Sequence, residues 1–293
     1  MLSPLPAMFY HPCYSELILP QQHRYPIQKY RTLYQELLDM GIPATAFSQS
    51  VPLSVAELAE FHCPAYIRSL YDGSIDAKAM RRIGFPWTAQ LFQRSLCSLG
   101  GTLQTAQAAL ETGIALHLSG GYHHAFYAEG SGFCLFNDLV VAARTMLRRG
   151  LDKILLVVLD VHQGDGSAAM LADEPRIISF SVHCEKNFPY RKQPSDWDIG
   201  LPPDCTEQQY LEAVQQSLHT LLHWHKPDLV IYDAGVDIHQ NDELGLLNIS
   251  TPAVFQRDYL VLQSCVQQSI PVAAVIGGGY QRNIDALVQL HLQ

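Results

Sequence analysis

The 293-residue sequence predicts an α/β fold in which a mostly parallel sheet lies buried between helices, and three observations support this. Short, β-branched apolar runs recur from Ile114 onward, amphipathic segments with capping signals fall between them, and the chemically suggestive residues gather where the runs end. Runs that are apolar on both faces are the signature of parallel strands covered by helices. Their alternation with helical segments implies a doubly wound sheet.

The first hundred residues read as mainly helical. IQKYRTLYQELLDMG (27–41) has helical periodicity, SVAELAEF (54–61) opens with the Ser54…Glu57 spacing of a capping box, and TAQLFQRSLCSLGGTLQTAQAALETG (88–113) is long enough for a major helix. The expected strands are IALHL (114–118), KILLVVL (153–159), RIISFSV (176–182), DLVIYDA (228–234) and VAAVI (272–276). Between them, FNDLVVAARTMLRRG (136–150) ends in Arg148 and Arg149 before Gly150, a basic last turn followed by a glycine stop. TEQQYLEAVQQSLHTLLHWH (206–225) begins with Thr206 and Gln209 at capping-box spacing. TPAVFQRDYLVLQSCVQQS (251–269) is expected to use Thr251 as N-cap and Pro252 as its first helical residue. No internal repeat or linker-like stretch interrupts the pattern, so residues 1–293 are expected to form a single domain.

Composition narrows the function classes. A hydrophobic content of 48% supplies a substantial core, and a formal net charge of −9 opposes a broad electrostatic grip on nucleic acid. The seven cysteines are scattered and never spaced C-x-x-C, which fits a reduced compartment better than a disulfide framework or a structural zinc knot. No apolar stretch approaches the ~18 residues of a membrane span, and MLSPLPAMFYHP lacks a basic region ahead of an apolar one. The expectation is a soluble cytoplasmic protein whose oligomeric state the sequence does not fix.

In parallel sheets ligands bind beyond the carboxyl ends of the strands. Here IALHL runs into SGGYHH (119–124), KILLVVL into DVHQGDG (160–166), DLVIYDA into GVDIHQND (235–242) and VAAVI into GGGY (277–280). Asp160 and His162 stand two residues apart, so in extended chain they face one way, about 7 Å apart. With Asp237 they offer one nitrogen and two carboxylates, a catalytic metal set that leaves a position open. An isolated Asp-x-His pair is more often an ordinary hydrogen-bonded loop; four converging motifs favour the metal. His123 and His124 could act as general base and acid toward metal-activated water. Asp165 either holds the far nitrogen of one imidazole or caps the helix SAAMLA, and the two roles are compatible. The glycines before Tyr280 would let its phenol reach a developing oxyanion. No phosphate-binding loop motif is present.

GGYHHAFYAEGSGFCLFND, LDVHQGDG, AGVD and GGGY, in that order, together with the early HRYP-x-x-KY segment, resemble the histone deacetylase superfamily of zinc-dependent amidohydrolases, most of all its bacterial members near class IV. The resemblance implies an arginase/deacetylase-like fold with a central, mostly parallel sheet of about eight strands flanked by helices. It implies zinc, or ferrous iron, held by Asp160, His162 and Asp237. It makes His124 the general base oriented by Asp165, His123 its electrostatic partner, and Tyr280 the group that polarises the amide carbonyl. Gly132, Phe133 and Phe188 would contact the substrate, an acylated lysine peptide or a small acylated amine. A monovalent-cation site is implied at Asp160, His162, Ser181 and Val182. The chain departs from the family at Val158, where an acid usually stands. That departure leaves His123 without its usual carboxylate and counts against potassium. No residue matches the family's substrate-holding aspartate at the rim, although Asp72 and Asp76 lie nearby in sequence.

The implied activity is a zinc-dependent deacylase. Two rivals differ in kind. An arginase-like ureohydrolase with two manganese ions would need an acid at position 164, where the chain has Gly164. A non-catalytic acyl-lysine-binding relative is suggested by Val158 alone.

Overall fold

The computed structural model describes residues 5–293, so residues 1–4 of the expected domain lie outside the described residues. The chain begins with β1 (Ala7–Tyr10), a short 3-10 turn, α1 (Lys29–Asp39) and β2 (Phe47–Gln49). Three small helices follow, α2 (Val55–Leu58), α3 (Pro64–Asp72) and α4 (Ala77–Ile83), then the long α5 (Ala89–Thr112). Strand and helix then alternate through β3 (Ile114–His117), α6 (Asp138–Arg148), β4 (Ile154–Val158), α7 (Asp165–Leu171) and β5 (Ile177–Cys184). The remainder comprises β6 (Trp197–Leu201), α8 (Glu207–His225), β7 (Leu229–Asp233), α9 (Thr251–Gln267), β8 (Val272–Val275) and α10 (Ile284–His291).

All eight strands join one sheet in the order β2-β1-β3-β8-β7-β4-β5-β6, and every pair is parallel. This confirms the expected fold class. The four strands whose ends carry the suggestive motifs, β3, β8, β7 and β4, are consecutive in the sheet. A parallel arrangement sends all four carboxyl ends to one edge, and this is why residues more than a hundred positions apart meet there.

Alternation along β4 shows how the sheet is buried. Leu156 and Val158 join a core with α5 and α6, while Leu155 and Val157 join a second core with α8 and α9 on the other face. The strand ends are tied together by Arg257 of α9, which is buried and donates from Nη1 to the carbonyls of Leu159 (2.9 Å) and Gly235 (2.5 Å).

The capping boxes at Ser54/Glu57 and Thr206/Gln209 form as expected. α9 corrects the reading by one residue: Ser250 is its N-cap, and Thr251 is already helical. Asp165 is the first residue of α7 rather than its cap, which is Gly164. Three strands escaped the sequence reading. β2 and β6 are the sheet's edges and carry exposed or half-buried residues, and β1 is a short strand inside the first hundred residues, which read as mainly helical. Asp76 serves as the N-cap of α4, accepting from Lys78 N and Ala79 N. All seven cysteines are free, and among the described residues no helix is long and apolar enough to cross a membrane.

Candidate active site

The loop after β3 is held in place before any chemistry begins. The buried Asp138 carboxylate accepts from the backbone N–H of Gly121 (3.1 Å) and Tyr122 (2.7 Å) and from the Thr102 hydroxyl (2.6 Å). Burial pushes this carboxyl up to about 6 despite those bonds. Asn137, the N-cap of α6, donates from its side chain to the carbonyls of His123 and Ala125. These contacts fix the backbone from which two buried imidazoles project.

Each imidazole is tied to its own carboxylate. His124 donates from Nδ1 to Asp165 Oδ1 at 2.6 Å, and His123 donates from Nδ1 to Asp233 Oδ2 at 2.7 Å. The two Nε2 atoms lie 3.2 Å apart. Their environments separate them electrically. Burial lowers His124, the neighbouring charge of His123 lowers it further, and these outweigh Asp165 to leave it at about 4. Burial works the same way on His123, but the negative charge of Asp160 and the bond to Asp233 outweigh it and raise it to about 9. At neutral pH one ring is therefore a free base and the other a cation. Such a division between paired groups marks acid and base roles.

Beside them, His162 Nδ1 lies 2.9 Å from Asp160 Oδ1 and 3.0 Å from Asp237 Oδ2. Each carboxylate is anchored by backbone: Gly278 N–H donates to Asp160 Oδ2 (3.0 Å) and Val161 N–H to Asp237 Oδ1 (2.8 Å). Position 278 must be glycine, because a Cβ there would stand 2.3 Å from Asp237 Oδ2 and 2.4 Å from Asp160 Oδ2. Burial and the adjacent Asp160 push Asp237 up to about 7, while burial of His162 is outweighed by both acids, raising it to about 10. Two buried acids competing for one imidazole proton form a site that calls for positive charge. The donor set, one nitrogen and two oxygens within 4.8 Å of one another, fits a divalent ion of the zinc or ferrous class.

A cavity of about 520 Å³ opens onto this floor, lined by Gly132, Phe133, Phe188, Tyr280, His124 and His162 among others. The Phe188 ring stands edge-on to His124, with centroids 4.8 Å apart. Phe133 adopts φ 66, a strained backbone for a bulky residue, and its ring lies 5.7 Å from that of Tyr280. Tyr280 is fixed by its own N–H donating to Asp242 Oδ2 at 2.7 Å. Burial first, then the charges of Asp160 and Asp237, hold its phenol well above 10, so the hydroxyl stays protonated and able to donate.

The structure thus brings His123, His124, Asp165, Asp160, His162, Asp237, Tyr280, Gly132, Phe133 and Phe188 to one place. Ser181 and Val182 lie behind it on β5, and the Ser181 hydroxyl is engaged by His183 Nδ1 at 3.0 Å. One expectation is corrected: His123 does not lack a carboxylate, because Asp233 supplies it from the adjacent strand. Sequence reasoning also missed Asp242 and Lys29, whose buried ammonium donates to the Gly277 carbonyl at 2.9 Å. Asp233 carried the same signal as Asp160, an acid ending a buried apolar run.

Comparison with known proteins agrees with this geometry. Residues 23–293 match the family described as "Histone deacetylase domain". An uncharacterised protein of Picosynechococcus sp. is 48% identical over 285 residues, covering 96% of this chain and 94% of that one. Histone deacetylase 2 of Arabidopsis thaliana is 26% identical over 280 residues, 89% of this chain and 70% of that protein. The crystal structure of a histone deacetylase homologue from Aquifex aeolicus superposes with a TM-score of 0.83 at 22% identity, covering 97% of this chain and 81% of the other.

Proposed function

The chain belongs to the histone deacetylase family, and from that premise we propose that it is a zinc- or iron-dependent deacylase that hydrolyses an N-acyl amide, either an acetylated lysine side chain or a small acetylated amine. Family members are hydrolases that act as deacetylases, and this chain is an enzyme of that kind. Residues 1–293 form its one catalytic domain, acting in the cytoplasm. The observation that supports the reading best is the pair of imidazoles, each bonded to a separate buried acid, beside the Asp160–His162–Asp237 set at the base of a cavity lined by His124 and His162.

Asp160, His162 and Asp237 would hold a divalent ion, which would supply Lewis acidity toward an acyl oxygen and acidify water at the site. His124 is neutral, and its Nδ1 proton is committed to Asp165, so its Nε2 takes the proton of the attacking water. His123, its Nδ1 bonded to Asp233, holds its Nε2 3.2 Å from that of His124 and stabilises charge beside it. As the carbon–nitrogen bond breaks, an imidazole returns a proton to the leaving amine. Tyr280 donates its hydroxyl hydrogen to the oxygen on which negative charge develops. Phe133 and Phe188 flank an extended aliphatic stem and exclude water from the floor.

One observation favours a second reading, a ureohydrolase with two metals: His123, Asp160 and Asp233 also lie close enough together to hold a cation. Against it, His123 Nδ1 is already spent on Asp233, and position 164 is a glycine. Incubating metal-loaded protein with an acetyl-lysine peptide, an acetylated polyamine and a guanidino compound separates the two. Release of acetate supports the deacylase; release of urea overturns it.

A further inference from the structure

We infer that Asp233 is the positioning residue of His123, and that this chain supplies from β7 the acid that would otherwise have to stand at position 158 on β4. The inference rests on the deacylase reading above and deepens it.

The register of the sheet makes such a relocation feasible. Val158 and Asp233 are direct partners across the parallel pair β4–β7, so their side chains leave the same face of the sheet at the same height. Val158 also borders His123: a Cβ placed on Gly164 would meet His123 Cβ at 3.3 Å and Val158 Cγ2 at 3.5 Å. An acid at either position could therefore reach the same imidazole. In this chain position 158 is apolar, and Asp233 makes the bond at 2.7 Å, with both partners buried.

Folding stability gives no account of a carboxylate there. Asp233 is fully buried, its Oδ2 bonds His123, and its Oδ1 has no hydrogen-bond partner. Burying an acid with one oxygen unsatisfied is costly, and an apolar side chain on this face of β7 would pack without that cost. Two glycines make room for it as well. A Cβ at Gly121 would stand 2.6 Å from Asp233 Oδ1, and one at Gly277 would stand 2.2 Å from it. The loop carrying His123 and the loop carrying Tyr280 are both shaped around this carboxylate. What the carboxylate does is accept the Nδ1 proton, which fixes the ring's orientation and turns Nε2 toward His124.

The test is a carboxylate transplant. Asp233→Asn keeps shape but offers an amide, and Asp233→Val removes the acid. Val158→Asp combined with Asp233→Val returns an acid to the same imidazole from the other strand. Losing such an orienting partner costs about 10- to 100-fold. We expect that loss in kcat for both single variants, a KM changed by less than about threefold, and unchanged metal content. The transplant should recover at least about tenfold over Asp233→Val, a rescue that a merely structural residue would not give. In parallel, the imidazole 15N spectrum of the wild type should show His123 protonated at Nδ1, and Asp233→Asn should change that signature whether or not any substrate is turned over. An unchanged spectrum, a kcat within about twofold of wild type in Asp233→Asn, or a second bound ion lost with Asp233 would overturn the inference. An inactive wild type with the expected spectral change would overturn the deacylase reading alone. If Asp233→Val fails to fold, the comparison of Asp233→Asn with wild type decides.

Discussion

Replacing Tyr280 with phenylalanine removes one oxygen and leaves the ring where it is. The ring packs beside Phe133, Tyr25 and His162, with centroids 5.7, 6.5 and 6.2 Å away, and none of these contacts involves the hydroxyl. The anchor of the residue is its backbone N–H on Asp242, which the substitution does not touch. Among the described residues no hydrogen bond from the hydroxyl to the protein is present, so its loss strands no buried partner and should leave the melting temperature unchanged. The whole penalty should therefore fall on the transition state. Losing one preorganised donor to an oxyanion costs about 10²–10³-fold in kcat, or about 2.7–4 kcal/mol. The assay is steady-state turnover of an acetyl-lysine peptide by wild type and Tyr280→Phe at equal metal content, with thermal melts on both. A kcat reduced by less than about threefold would refute the assignment of Tyr280 to the oxyanion. A loss accompanied by a fall in melting temperature would instead show that the hydroxyl is structural.

The two histidines should respond differently. His124→Ala should cost about 10²–10⁴-fold in kcat with metal retained. Because burial and then the His123 charge hold His124 low, at about 4, activity falls as pH drops through that value, and His123→Gln should move this acid limb upward. An unshifted limb, measured from the pH profile of kcat/KM, would break the proposed coupling. His117 lies outside the site, bonded to the Tyr14 hydroxyl at 2.8 Å, and burial pushes it down to about 3. Below the unfolded value of about 6.5 the unfolded state binds the extra proton, so its contribution is present at pH 7 and lost as pH falls toward 3. The stability advantage of wild type over His117→Gln should shrink by about 2 kcal/mol between pH 7 and pH 5 in urea titrations, and a constant difference would contradict this. Arg257→Met keeps the length of the side chain but leaves the buried carbonyls of Leu159 and Gly235 without their donor. A loss of about 3 kcal/mol is expected from the urea midpoint, and no shift would show that water replaces the guanidinium.

What could be read from the sequence follows from where the information is local. Five strands were legible because their runs are predominantly apolar, with β4, β5, β7 and β8 buried on both faces, and the four motifs were legible because each sits within a few residues of a strand end. β2 and β6 were not, since edge strands mix polar and apolar residues as loops do. The start of α9 is displaced by one residue because Ser250 and Thr251 are both favoured cap residues, and the fold uses Ser250. Asp233 is the instructive miss. At Val158 the family resemblance implies an acid that the chain lacks. The compensating residue is its neighbour across the sheet, and pairing between strands 75 residues apart is not written in either one. Asp242 and Lys29 were hidden for the same reason, since each acts on the backbone of a loop distant in sequence.

The claim that this chain is a deacylase with one catalytic metal is tested most directly by titrating metal into chelator-stripped protein while following acetate release from an acetyl-lysine peptide and an acetylated amine. Stripped protein should be inactive, and turnover should rise to a plateau at about one zinc or ferrous ion per chain. The plateau should vanish when Asp160 and Asp237 are both changed to alanine. A plateau only at two ions per chain with urea as the product, or no hydrolysis of any acylated amine at any loading, would contradict the claim.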